Sequence, residues 1–587
     1  MTDIRIIVPA AVPSGNMSWT KPTILANGDA ITTEVTGYKI YSKSGSYSLH
    51  STISDEDTLS ASVPAGTYAV AATFSGGQTA LSDPITLPVY VSPGTTRVVG
   101  TGETYPATLT GIQDAIDDSS AGDVVQLRGE TFNLSVTAGV QITVAVSGTA
   151  NDPIIIESFP DERAIINGPG SASVWQTHVD ENPGTNSNGG SETGIQITGD
   201  YIHLKNLDIV YFTDGCVVVR SSTGVRIEGV YAINWGRSAR IAIRAQPSNA
   251  DDEINGFIMR YCRAEFSRLG VGIGLAPVTT AAETADLNQP RIERCISSWN
   301  GYEEDFVLTN AQGTGGNSGG GIESVFLHPA QGGTDPHPVK GCVCKESIFY
   351  HNADDSLHVS AGPDYLLLNN TMMEGGPMGN RGIKMKNPAF GDHTQIGNIA
   401  YNHRVSPSTS GRGFECRMED GELIQWNNSA IDNDTLGWEY NFTTAPLPAG
   451  PFVSRNSNIG YLNDDNQMES PNGTDFTTIN NITAADPQLE DAQPTTSLPV
   501  HDDTDPFAVQ TAWREAFFDL RKDFMPASVS IALDNGNSDS SIHTATAADD
   551  ATTPADPEAD KLAWFGTDPD IGAQQRRFMD PPVLSAS

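Results

Sequence analysis

The chain has 587 residues, too many for one compact core, and its hydrophobic share of 38% is enough to exclude wholesale disorder. Lys and Arg number 33 against 72 Asp and Glu, and the net charge of −39 repels both nucleic acid and anionic membrane. No stretch approaches the roughly 20 uninterrupted apolar residues of a membrane span, so neither nucleic acid nor membrane insertion is expected.

The first residues, Met1 to Pro9, lack a basic start, a long apolar run and a cleavage site, so no secretory signal peptide is expected. Within residues 1–92, Gly37-Tyr-Lys-Ile-Tyr41 and Gly66-Thr-Tyr-Ala-Val-Ala71 alternate as half-buried strands do. With the early Trp19 they resemble a fibronectin type III domain, a β-sandwich that mostly spaces or attaches other modules. Val91 to Thr96 reads as a linker.

Leu109 to Ile116 has helical spacing, and Gly122 to Gly129 reads as a strand. Pro153-Ile-Ile-Ile-Glu157 and Ile165-Ile-Asn-Gly168 follow. This succession resembles the opening cap of pectate-lyase-like right-handed parallel β-helices. The six cysteines (216, 262, 295, 342, 344 and 416) show neither a CxxC pair nor zinc spacing, and read as reduced, buried thiols.

From about residue 195 to 485, short apolar strands recur in pairs. One series runs through Leu207, Val230, Cys262, Cys295, Ile348, Met372, Ile399 and Ala430. The other runs through Val217, Ile241, Phe306, Leu357, Ile383, Phe414 and Trp438, of which the last four lie 26, 31 and 24 residues apart. An Asn often closes the first strand of a pair (Asn300, Asn352, Asn402). Such a period fits a coil of three short strands per turn, each hiding its apolar face on its neighbours. A Gly-rich insertion is expected at 310–338, and a helix from Asp505 to Phe524. The expected fold is therefore all-β: an N-terminal β-sandwich over 1–92, a right-handed parallel β-helix over 93–490, and an irregular C-terminal segment with one helix over 491–587.

Stacking turns equal offsets into columns on the outer wall. Aligned on Phe306, Leu357, Ile383 and Phe414, the next residues out are Val307, His358, Lys384 and Glu415. Two further along come Thr309, Ser360, Lys386 and Arg417. Just before the strands lie Glu304-Asp305, Asp354-Asp355, Arg381 and Arg412. On so acidic a chain the cationic set stands out. The strip reads in three ways: a solvated face of weak ion pairs, a divalent-cation site of neighbouring carboxylates, or a carboxylate pair for glycoside hydrolysis.

Asn352-Ala-Asp-Asp355-Ser-Leu-His358, then Tyr365 to Asn370, then Gly379-Asn-Arg-Gly-Ile-Lys384, resembles the family 9 polysaccharide lyases. Those are calcium-dependent β-helix enzymes that cleave pectate-type polyuronates by β-elimination. The resemblance implies Lys384 as catalytic base and β-elimination as the chemistry, in which a cation or a guanidinium neutralises the uronate carboxylate; Arg381, beside the lysine, is the second catalytic candidate, its charge lowering the lysine's pKa. It implies a calcium held by Glu304, Asp354 and Asp355, with Asp305 beside them. His358, Lys386, Glu415 and Arg417 would face the substrate, an acidic polysaccharide. Two positions depart from the family pattern: Ser356 stands where it has glycine, and His358 where it has an aspartate. A β-helix carbohydrate protein without a signal also resembles a bacteriophage tailspike or fibre. That implies an extracellular or virion-associated homotrimer attached to the virion, or a non-catalytic adhesin on the same fold.

Overall fold

The structure is a computed structural model. It describes 16–87 in part, 94–300 apart from 169–192 and shorter stretches, the strand Val325–Leu327, 339–463 apart from short stretches, the strand Phe476–Ile479, and 498–522 apart from a few positions. Among the described residues, those up to Gly94 and those from Thr95 onward belong to separate compact units.

In the first unit Gly37–Ser44 is the centre of an antiparallel sheet, paired with Ser46–Ile53 on one side and Gly66–Phe74 on the other. Its alternation buries Tyr38 and Ile40, with Ala71 and Ala72 opposite. Asn16–Ser18 pairs with Ser60–Ser62 as a separate ribbon.

The second unit is a parallel β-helix. The chain visits a first sheet of 13 strands, a second of 11 and a third of 10 in rotation, so three strands make one coil. A four-stranded sheet runs alongside for part of the length. Helix α1, Leu109–Asp117, is capped by the Thr108 hydroxyl, which accepts from the Gly111 amide, and it buries Ile112, Ala115 and Ile116 against the first coils. That closes an end where apolar strand edges would otherwise face water.

One residue in the left-handed region turns the chain at each bend. At the first bend it is Asn369 (φ 52) and Asn427 (φ 54), and at the second Trp299 (φ 53), His351 (φ 50) and Asn402 (φ 57). The residue after it points inward. Asn370, Asn398, Asn428 and Asn458 thereby form a ladder, each side-chain amide donating to the next carbonyl oxygen at 3.0–3.2 Å. At the second bend Asn300 donates to Asn352 at 3.0 Å and Asn433 to Asn463 at 2.8 Å. An amide carries both donor and acceptor, so a stack of them satisfies itself inside a dry core. Asn402 closes its strand, Ile399–Tyr401, by taking the bend itself, and His403 takes the inward position, its backbone amide donating to Asn433.

Along the third sheet, Leu357, Ile383, Phe414 and Trp438 pair in register and are fully buried, with the Phe414 and Trp438 rings stacked at 5.1 Å. The expected column is real from Leu357 onward. Before it, two expectations fail. Val217 pairs with Ile243 rather than Ile241, and Ile273 supplies a further turn. The strand paired with Leu357–Ser360 is Val325–Leu327, so Phe306 does not hold that rung. The Gly-rich run hides a three-residue strand inside what reads as an insertion.

Helix α2, Ala508–Lys522, lies on the outer face of the second sheet. Ala512, Trp513, Ala516, Phe517 and Leu520 cover Ile296, Ile348, Met373, Ile399 and Ile431. The Trp513 indole N–H donates to the Glu346 carbonyl at 2.7 Å, and Arg521 donates to the Asn369 and Gly397 carbonyls at 2.9 Å. All six cysteines are buried and free.

Candidate active site

The expected charged strip lies on the outer wall of the third sheet, built by the strands Leu357–Ser360, Arg381–Ala389, Arg412–Met418 and Leu436–Phe442. Register places His358 beside Lys384 and Lys384 beside Glu415, as the offsets predict, and extends the column to Glu439. Arg381 pairs with Arg412 three residues earlier on the same strands. Glu439 was missed, although it stands one past Trp438, the offset of Lys384 past Ile383.

These side chains knit into an alternating network. Asp355, fully buried, accepts from Lys384 Nζ on one oxygen and from Arg381 Nη1 at 3.2 Å on the other. Arg381 Nε reaches across to Glu415, which is also fully buried. Arg412 Nη1 donates to Glu415 at 2.9 Å and pairs with Glu439. His358 Nδ1 lies 3.9 Å from Asp355. Burial alone would push the Asp355 carboxyl up, but Lys384, then Arg381 and His358, outweigh it and hold the carboxyl down to about 2.

The strands can bring these groups so close because the residue preceding each core position is small. Gly382 is required by space: a Cβ there would meet the Ala400 Cβ at 2.5 Å and the Gly413 carbonyl oxygen at 2.6 Å. The same offset holds Gly194, Cys216, Ala242, Gly272, Gly413 and Gly437 on other rungs. Ser356 stands at that offset too, so its departure from glycine keeps the column small.

Other expected site residues fare differently. Glu415 is not a surface group: buried between Arg381 and Arg412, it positions the cations rather than meeting a substrate. Lys386 pairs in register with Ser360, but an irregularity between Met385 and Ala389 breaks the column before Arg417, which pairs with Asn441 instead. A constant offset cannot foresee a bulge. Glu304, Asp305 and Asp354 lie outside the described residues. In the sequence, Glu323 precedes Val325 by the offset at which Asp355 precedes Leu357. Among the described residues no three His, Cys, Asp or Glu side chains gather as a metal site. Trp426 and Trp438 are coil packing, 7% and 0% exposed.

No protein-family model matches the chain. It is 25% identical over 396 residues to the pectate lyase PEL9 of Emericella nidulans, spanning 66% of this chain and 83% of that protein. The chain is a pectate-lyase-like parallel β-helix. Among solved structures it resembles pectate lyase Pel9A at a TM-score of 0.45, with 13% identity, 82% of this chain and 97% of that one covered. It also resembles an alginate lyase from a Paenibacillus species at 0.33, with 12% identity, 66% of this chain and 99% of that one covered. Both scores lie below the level at which one fold can be inferred from another.

Proposed function

We propose that the chain cleaves an acidic, uronate-containing polysaccharide by β-elimination on the outer wall of the third sheet. The observation that carries this is the concentration of Arg381, Lys384 and Arg412 in one strip of a chain with net charge −39, all held by the buried acids Asp355 and Glu415. Buried acids anchor the cations from below, as preorganisation requires.

In this reading the uronate carboxylate lies against Arg381, whose charge stabilises the electron pair released when the neighbouring ring proton leaves. Neutral Lys384 takes that proton on Nζ. The electron pair becomes a carbon–carbon double bond, the glycosidic carbon–oxygen bond breaks, and the leaving oxygen is protonated by water. The base is the unprotonated amine, so the reaction runs only in the fraction of molecules in which Lys384 has given up its proton. Asp355 fixes the position of Lys384 Nζ on a rigid strand.

Calcium, expected from the resemblance, does not fit Asp355 as placed, because both its oxygens are spent on cations. The same pairing favours the second reading, a carbohydrate-binding adhesin or virion protein whose strip is structural. Incubation with pectate, alginate and other uronate polymers separates the readings. A lyase produces the ultraviolet absorbance of an unsaturated chain end, a hydrolase releases reducing ends without it, and an adhesin binds and releases nothing. The last two results would overturn the proposal.

A further inference from the structure

A second cavity, of about 570 Å³, opens on the outer face of the second sheet, away from the charged strip and under the segment Leu498 to His501. Half-buried Tyr211, Phe266 and Trp299 line it, each with positive φ (63, 54 and 53), Tyr211 at the irregularity of the strand Leu207–Phe212 and the other two at bends. Bulky residues adopt that backbone only at a cost, and the apolar rings they bring to the wall match the apolar face of a pyranose.

The polar floor is unevenly satisfied. Asp208 has Arg163 at 2.6 Å and His501 Nε2 at 3.0 Å. Glu265 takes Ser298 Oγ at 2.5 Å, Arg263 Nη2 at 2.7 Å and the Tyr231 hydroxyl at 3.2 Å. The acids are thus already supplied with donors. Arg263 is not: only 3% exposed, it has no partner for Nε or Nη1. His501, stacked on Tyr231 at 3.6 Å, leaves Nδ1 without a partner. In the neutral tautomer whose Nε2–H donates to Asp208, Nδ1 is an acceptor.

We propose that this cavity binds a uronate residue. Its ring lies against Tyr211, Phe266 and Trp299, its carboxylate takes the unspent donors of Arg263, and a ring hydroxyl donates to His501 Nδ1. A buried guanidinium with two of its nitrogens lacking acceptors is relieved best by an anionic oxygen. The volume suits roughly one or two sugar rings. The ligand class comes from this cavity's own lining and does not depend on cleavage at the third sheet.

Ligand-observed NMR titration with galacturonate and with galactose, its neutral counterpart, tests this, since neither monosaccharide can be eliminated. The expected result is saturable galacturonate binding, at least tenfold weaker in Arg263→Lys, which keeps a cation beside Glu265, and in Phe266→Ala, which removes a half-buried ring. Galactose should bind at least tenfold more weakly than galacturonate. Melting and the elimination rate on polymer should be unchanged in both variants, which separates this site from the strip. Equal binding of the two sugars, no galacturonate binding, or binding unaltered in both folded variants would overturn the proposal. Loss of the elimination product alone would overturn only the lyase reading.

Discussion

The second and third sheets obey one stacking rule and put it to opposite uses. Both turn apolar residues inward. Outward, the second sheet presents Ile296, Ile348, Ile399 and Ile431 beneath helix α2, whereas the third presents His358, Lys384, Glu415 and Glu439. The inward columns make the coil, and the outward columns decide what each wall does. A wall covered by a helix contributes stability, while one bearing an anchored charge network is available for chemistry.

Removing the cover is the largest test of that contrast. Trp513 is 3% exposed, and Trp513→Ala should cost about 3–5 kcal/mol in denaturant unfolding. Elimination by the folded fraction should be unchanged, because among the described residues the helix packs on the second sheet's outer wall and the bend before it, not on the third sheet. A large loss of rate per folded molecule would mean the two walls are coupled.

Breaking the charged network comes next. Asp355→Asn leaves Lys384 and Arg381 partly uncompensated and should cost about 2–3 kcal/mol, discounted because both cations keep some access to water. The Asp355 carboxyl is depressed in the fold, so its contribution is fully present above the unfolded carboxylate pKa of about 3.9. It is lost as pH falls from there toward about 2. Melting against pH should show that acid limb in the wild type, and Asp355→Asn should flatten it.

Smaller still, Gly382→Ala forces a Cβ against the Ala400 side chain and the Gly413 backbone, and should cost about 1–2 kcal/mol. It should also slow elimination, since Gly382 lies between Arg381 and Lys384 on the strand that carries both, whereas Ser356→Gly should do neither. Smallest is calcium. If Asp355 stays with Lys384 and Arg381, calorimetry with calcium should give no heat and EDTA should leave the rate unchanged. Heat that disappears in Asp355→Asn would show the carboxylate turning to a metal.

Much of this contrast is legible in the sequence. The spacing of Leu357, Ile383, Phe414 and Trp438 gives the coil and the third sheet's register, and hence the Lys384–Glu415 neighbours. The rung before them was misread because Phe306 looks like a core residue and Val325-Phe-Leu327 sits beside a Gly-rich run. Glu415 reads as a surface acid, since sequence cannot tell that two arginines on adjacent rungs will bury it. Helix α2 is readable from its apolar spacing, but its seat is not. The hint was there in strands such as Ser347-Ile-Phe349 and Thr371-Met-Met373, which carry apolar residues facing both ways. Arg263 gave no sign at all, because a missing partner exists only in three dimensions.

The central claim is that the third sheet's outward column is reactive rather than structural. Lys384→Ala tests it most directly, read as the rate of unsaturated-end formation on a uronate polymer together with the variant's melting. The account predicts a rate lower by about 10²–10⁴, the range for loss of a general base, in a protein that still folds. A folded Lys384→Ala chain that eliminates at the wild-type rate would contradict it.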